Sequence, residues 1–105
     1  MDVFDSLVIG AGQGGLSSSY HLKRLGIDHV LLDAEQQPGG AWQHRWDSLT
    51  MDDLLGVADL PDGRAPEVSD VPANIVVPRW FAEYERQHDL PVVRPVRVDS
   101  VVDEE

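Results

Sequence analysis

Three glycines at a fixed spacing form the part of this sequence best suited to chemistry. Gly10, Gly12 and Gly15, in GAGQGG, match the pattern G-x-G-x-x-G. In a turn from strand to helix, the first glycine allows a tight bend, the second lets the backbone approach a pyrophosphate, and the third lets helix and strand pack closely. The N–H groups of Gln13 and Gly14 would face the phosphates, where the helix dipole favours negative charge. The pattern predicts a dinucleotide site if a strand precedes it and a helix follows it.

An acidic residue further along the chain fits the same ligand. Asp33 lies 18 residues after Gly15, at the end of a second apolar run. A carboxylate in that position can accept hydrogen bonds from ribose hydroxyls. Its charge would repel a 2′-phosphate, so the site suits FAD or NAD and disfavours NADP. The alternative is a plain glycine turn with a solvated aspartate, which the joint context disfavours.

The segments around these residues predict the elements that would position them. Residues 3–9 end in the apolar triplet LVI, which is typical of a buried parallel strand. Residues 14–25 predict a helix capped by Gly26, and the apolar run 29–33 predicts a second strand. Together they predict a βαβ unit over residues 3–33, and an α/β fold of Rossmann type with a parallel sheet.

One face of the predicted helix is apolar. We expect Leu16 and Tyr20, with Leu22 and Leu25, to face the sheet. Serines at 17–19 are small enough for the helix to lie close to the strands.

The rest of the chain is less regular. Residues 34–77 are rich in Pro, Gly and Asp, and predict a loop-rich segment with one helical turn near residues 52–57. Residues 78–88 predict a helix that begins with Pro78. Partial alternation of apolar residues over 90–102 predicts short strands.

Composition excludes several functions. The net charge is −11, of which residues 1–50 carry −3 (6 acidic, 3 basic) and residues 51–105 carry −8 (13 acidic, 5 basic). That balance would repel a nucleic acid backbone, so backbone amides would have to hold a phosphate ligand. The chain has no cysteine, which excludes a disulfide, a thiolate metal site and a redox dithiol. The four histidines lack metal-ligand spacing, so no metal site is predicted.

The first residues lack the basic start and long apolar middle of a secretion signal. No apolar run approaches the ~20 residues of a membrane helix. We therefore expect a cytoplasmic protein that neither spans nor binds a membrane.

A second glycine pair follows the predicted βαβ unit, in the segment PGGAWQHRWDSL over residues 38–49. A backbone without side chains can run along an extended cofactor, and an aromatic side chain can cover an apolar ring. With GxGxxG, then an acid, then GGxW at Gly39, Gly40 and Trp42, the chain resembles the flavin-containing monooxygenase and Baeyer-Villiger monooxygenase group.

The resemblance implies an FAD-binding domain in which the Gly40 region lies along FAD and Trp42 packs near the flavin. It also implies that the backbone of Val96 contacts adenine. From the residues alone, Trp42 is equally an ordinary core anchor, and that alternative stays open. The parent enzyme would be a monooxygenase-like oxidoreductase that uses FAD and NADPH, and we assign no catalytic residue within this chain.

Length adds a further expectation. A chain of 105 residues is enough for one small domain, but short for an enzyme that binds flavin, nicotinamide and substrate. We therefore expect residues 1–105 to be the N-terminal part of an FAD-binding domain, which needs a C-terminal domain or a partner chain. Two alternatives remain: a truncated or split flavoprotein piece without catalysis, and an NAD-binding dehydrogenase domain in which GGAW has no role.

Overall fold

A computed structural model describes residues 4–45, 49–51, 58–67 and 69–102 of the chain. Over these residues the elements are β1 (Ser6–Ile9), α1 (Gln13–Arg24), β2 (His29–Leu32), a 3₁₀ helix (Gly40–His44), α2 (Ala73–Gln87) and β3 (Val92–Val93). The three strands form one sheet in the order β1-β2-β3, and both pairs are parallel. The predicted α/β class, with a βαβ start and a parallel sheet, is confirmed.

Helix α1 packs on the sheet through its small and apolar residues. Leu16 and Ser19 are fully buried, and the Ser19 hydroxyl lies 2.7 Å from Nε2 of His29 on β2. His29 Nδ1 donates to the carbonyl of Ile27 at 3.0 Å, which leaves Nε2 to accept from Ser19. This buried contact ties α1 to β2 at the end of the sheet where β2 begins.

The predicted end of α1 is confirmed, but one residue of its predicted inward face is not buried. Gly26 adopts a positive φ of 72°, as a residue that follows a helix C-terminus commonly does. Leu25 is 72% exposed, although it lines a groove with Leu7 and Ile9 of β1. It lies on the side of α1 beside the sheet, as expected, but it is not buried there.

Strand β1 is more exposed than a buried parallel strand. Leu7 is 58% exposed and Ile9 is 54% exposed. In the described part of the chain β1 pairs only with β2, so it forms one edge of the sheet. The prediction of a buried strand was wrong: Leu7 and Ile9 share one face of β1, opposite Val8, and a parallel strand is buried only when both faces of the sheet are covered.

Helix α2 begins at Ala73, and the prediction that it begins at Pro78 was wrong. Residues buried at helical spacing form a continuous stripe along it: Ala73, Val77, Phe81 and Tyr84. Burial of this stripe outweighs the hydrogen bond that Pro78 cannot donate inside a helix. Pro78 also packs against Gly39, where an added Cβ would lie 2.7 Å from the Pro78 Cβ.

The chain after α2 contains less strand than predicted. Only Val92 and Val93 form a strand, and residues 94–102 have no regular structure. Pro95 has no N–H to donate to a ladder, and Val101 and Val102 are 79% and 72% exposed. The predicted helical turn near residues 52–57 lies outside the described residues.

The core lies between α2 and the sheet. Leu16 and Leu31 meet the buried stripe of α2, together with Met51 and Leu60 from the connecting segment. Tyr84 is 2% exposed, and its hydroxyl donates to the carbonyl of Pro61 at 2.6 Å. In the described ranges no helix is both long and apolar enough to cross a bilayer.

Gly63→Ala should destabilise the fold. A Cβ at Gly63 would lie 2.7 Å from the Tyr84 ring, which is fixed by burial and by its bond to Pro61. We expect the free energy of unfolding to fall by about 1–3 kcal/mol in urea denaturation. Gly14→Ala is the control, because its added Cβ meets no atom within 4 Å. Equal stability of the two variants would contradict the close packing at Gly63.

Stability should fall in alkaline solution through Tyr84. Burial, with smaller contributions from Tyr20 and Asp62, raises the pKa of Tyr84 from 10.0 to about 12. Because the folded state holds this proton more tightly than the unfolded state, the resulting stability is present below pH 10 and is lost as pH rises towards about 12. In urea denaturation on either side of pH 10, the free energy of unfolding should fall less with pH for Tyr84→Phe than for wild type. An equal fall in both proteins would refute the assignment of this pH dependence to Tyr84.

Candidate functional site

A cavity of about 530 Å³ opens at the end of the sheet where β1 and β2 terminate. The crevice beyond the carboxyl ends of parallel strands is where ligands bind in open α/β sheets. Five of the nine predicted site residues line this cavity, namely Gly10, Gly12, Asp33, Gly40 and Val96. Gln13, Gly14, Gly15 and Trp42 do not line it.

The first glycine loop has the geometry that its sequence predicts. Gly10 has a φ of 91°, and its N–H donates to the Leu32 carbonyl at 2.7 Å, which ties the loop to β2. A Cβ on Gly15 would lie 1.7 Å from the carbonyl oxygen of Gly10. Only a glycine at position 15 lets α1 start this close to the end of β1.

Gly12 differs from Gly15 because nothing in the chain requires a glycine there. Its φ of −87° is open to any residue, and an added Cβ would meet no atom within 4 Å. The backbone at this point therefore borders free space on the cavity side. A pyrophosphate in close contact with the backbone would need that space, so the loop fits such a group.

The start of α1 supplies donors beside this space. The first bond within the helix runs from Leu16 N–H to the Gly12 carbonyl at 3.0 Å. Helix geometry leaves the preceding N–H groups, of Gln13, Gly14 and Gly15, without partners inside the helix. The Gln13 side chain points elsewhere and donates to the carbonyls of Ala58 and Asp59 at 3.0 and 3.3 Å. Any phosphate contact from Gln13 would thus come from its backbone.

Asp33 is buried and held by a side chain that the sequence analysis missed. Its carboxylate is 4% exposed, and Oδ2 accepts from Arg94 Nε at 2.9 Å. The other two guanidinium nitrogens of Arg94 donate to Glu85 on α2 at 2.7 and 2.6 Å. Oδ1 of Asp33 has a long contact of 3.5 Å with the Glu35 N–H. Arg94 is distant from Asp33 in sequence, so no local pattern could reveal the pair.

Arg94 remains charged in this environment. Its hydrogen bond to Glu85 raises the pKa of Arg94, burial lowers it, and the bond to Asp33 raises it again, with a net shift above the ordinary value. A buried guanidinium needs such partners, because an unpaired buried charge is costly.

The second glycine loop touches the first. Gly40 has a φ of 53°, and a Cβ there would lie 3.3 Å from the Cα of Gly12. Trp42 is half-buried and packs against the core, with the Arg45 guanidinium 5.4 Å from its ring centre. These contacts favour the core-anchor alternative for Trp42, and its contact with flavin stays a prediction.

Val96 also lines the cavity. Its N–H donates to the Asp33 carbonyl at 2.7 Å, which continues the pairing of β2 beyond its last residue. The N–H is therefore used by the protein, and a backbone contact with adenine would have to come from the Val96 carbonyl. That contact stays a prediction.

Comparison with known proteins agrees with this geometry. The model of the NAD(P)-binding Rossmann-like domain family matches residues 8–90. Two flavin monooxygenase structures from Stenotrophomonas maltophilia are similar to the whole chain: a mutant form at 45% identity with a TM-score of 0.86, and a flavin-containing monooxygenase at 42% identity with a TM-score of 0.83. This similarity confirms the resemblance to flavin-containing monooxygenases.

The chain is much shorter than the proteins it resembles. It covers 32% of each Stenotrophomonas chain. The CzcO-like oxidoreductase of Geobacillus kaustophilus is 30% identical over 105 residues, which is 98% of this chain and 30% of that protein. With a family match over most of its length and the βαβ geometry described above, the chain belongs to the NAD(P)-binding Rossmann-like domain family.

Proposed function

We propose that this chain binds the ADP half of FAD, with the pyrophosphate over Gly12 and the adenosine ribose at Asp33. The observation that carries the proposal is the free space over Gly12, beside the N-terminal amides of α1 and continuous with the cavity at Asp33. A nucleotide with a pyrophosphate needs both features, an approach to bare backbone and an acceptor for ribose hydroxyls.

FAD is favoured over NAD by the second glycine loop. Gly40 packs against Gly12 and lines the same cavity, so the cavity wall extends beyond the βαβ unit common to both kinds of site. The similar solved structures are also flavin monooxygenases. An NAD-binding dehydrogenase domain is the competing function, and it predicts that NAD binds more tightly than FAD.

The chemistry of the bound cofactor would be that of its isoalloxazine ring, which carries the redox reaction in flavoenzymes. The residues of this chain would bind and orient the cofactor, and none is assigned a catalytic role. As part of a longer enzyme the chain would serve a monooxygenase-like oxidoreductase that uses NADPH. A cytoplasmic location stays a prediction.

Gly12→Ala should weaken FAD binding without unfolding the chain. The added methyl group is accommodated in the free protein but occupies the space proposed for the pyrophosphate. We expect the Kd for FAD to rise about 10- to 100-fold, measured by quenching of flavin fluorescence. Thermal denaturation followed by circular dichroism should give a melting temperature close to that of wild type.

Gly15→Ala is the matched variant for that experiment. Its Cβ collides with the Gly10 carbonyl within the chain itself, so both stability and FAD binding should fall, the former by about 3 kcal/mol. Unchanged FAD affinity in Gly12→Ala would count against the proposal. Tighter binding of NAD than of FAD by wild type would favour the dehydrogenase alternative.

A partner polypeptide is supported by a separate observation. The edge of β1, unpaired within the described residues, and the exposed side chains of Leu7, Ile9 and Leu25 form an apolar surface beside α1. Unpaired strand edges with apolar neighbours favour pairing with another chain. We propose that further polypeptide covers this surface, either within a longer chain or as a separate subunit.

This surface predicts concentration-dependent association of the isolated chain. Leu7→Gln should weaken the association seen by sedimentation, because it removes an apolar side chain from the β1 edge. Val93→Gln, at a residue 47% exposed on the opposite edge strand, is the control and should have little effect. A wild-type chain that sediments as a monomer at all concentrations would refute association through β1.

A further inference from the structure

Asp33, Arg94 and Glu85 form one largely buried ion cluster beside the cavity. Each member comes from a different part of the chain: Asp33 follows β2, Arg94 follows β3, and Glu85 lies on α2. Their side chains are 4%, 15% and 10% exposed. The cluster borders the cavity only through Asp33, so Arg94 and Glu85 lie behind the proposed ribose contact.

The two carboxylate oxygens of Asp33 differ in their hydrogen bonds. Arg94 Nε holds Oδ2 at 2.9 Å, whereas Oδ1 has the 3.5 Å contact with the Glu35 N–H, which is long for a hydrogen bond. Arg94 cannot easily turn away, because Glu85 binds its other two nitrogens in a bidentate pair. One carboxylate oxygen is thus fixed by the protein and the other retains capacity to accept.

The backbone around Asp33 is held by the same segment. Its N–H donates to the Val93 carbonyl at 3.1 Å, and its carbonyl accepts from Val96 at 2.7 Å. Residues 93 and 96 flank Arg94, so one short stretch of chain fixes both the main chain and the side chain of Asp33. A carboxylate held in this way has little rotational freedom to lose when a ligand binds.

Resting on the proposed function, we propose that Arg94 is the positioning residue for ribose recognition. It holds the Asp33 carboxylate in one rotamer, so that the second oxygen can accept from the 2′-hydroxyl of the adenosine ribose. With two carboxylates around one guanidinium, the cluster carries one net negative charge and has no cation to spare for a 2′-phosphate. Arg94 therefore contributes to the choice of an unphosphorylated ribose.

The test compares ADP with 2′-deoxy-ADP as probes, by titration calorimetry on the whole chain. Wild type should bind ADP about tenfold more tightly than 2′-deoxy-ADP, because the hydroxyl donates to a charged acceptor. Arg94→Lys retains a cation but loses the fork that bridges Asp33 and Glu85. We expect the ratio of the two affinities to fall close to one in Arg94→Lys, and also in Asp33→Asn.

Arg97 provides the matched control. It lines the cavity as well, but its side chain is 86% exposed and lies 3.5 Å from Asp99. Arg97→Lys should leave the affinity ratio unchanged. If Arg94→Lys weakens both probes equally and keeps the ratio, Arg94 is merely structural and the inference is overturned.

A second variant covers the case in which Arg94→Lys does not fold. Glu85→Gln keeps Arg94 but weakens its anchor, and should lower the affinity ratio part of the way; an unchanged ratio would overturn the inference. Wild type that binds ADP and 2′-deoxy-ADP equally would overturn the inference and leave the pyrophosphate site standing. Wild type that binds neither would overturn the proposed function and the inference together.

Discussion

A steric constraint between Gly15 and the carbonyl of Gly10 sets the position of α1, and the rest of the site depends on it. A Cβ at position 15 would lie 1.7 Å from that oxygen, so any other residue would push the helix away from β1. The displacement would move the helix N-terminus from the cavity and would also pull Ser19 from His29. The absence of a Cβ at Gly15 thus couples the glycine loop at one end of β2 to the buried Ser19–His29 hydrogen bond at the other.

The two polar contacts buried beside β2 differ in kind. Ser19 and His29 form a neutral pair that joins two neighbouring elements. Asp33, Arg94 and Glu85 form an ionic cluster that joins three elements far apart in sequence. Buried ion pairs contribute little net stability compared with apolar packing, but they fix geometry when every partner is bonded. Fixed side-chain positions matter most at the cavity, which the ionic cluster borders through Asp33.

The sequence predicts the part of the fold that depends on local pattern. Period and glycine spacing were enough for the βαβ unit, for the cap at Gly26 and for Gly10, Gly12 and Asp33 in the cavity lining, whereas Gly40 and Val96 came from the family resemblance. The start of α2 was predicted wrongly, because Pro78 usually begins a helix, and only the burial of Ala73 and Val77 overrides that preference.

Other features were beyond local reasoning because they depend on contacts across the chain. The pairing of Arg94 with Asp33 spans 61 residues, and no spacing rule connects them. The exposure of Leu7 and Ile9 depends on what packs against their face of β1, which the apolar run itself cannot show. The contacts and exposure of a residue are therefore hardest to predict from local sequence pattern when they depend on residues far away in the chain.

The charges around the cavity would attract a phosphate ligand only weakly. Its affinity would therefore depend on how closely it can approach the glycine backbone. Among the described residues, the basic side chains that line it are His44 and Arg97, and each already has an acidic partner: Glu35 at 2.9 Å and Asp99 at 3.5 Å. The chain as a whole carries a net charge of −11, so long-range attraction does not favour an anion. What remains is the set of amides at the start of α1, which act only at contact distance. A phosphate would therefore have to come into contact with these amides to be held. The absence of a side chain at Gly12 allows that approach, so it would be as important as any charge.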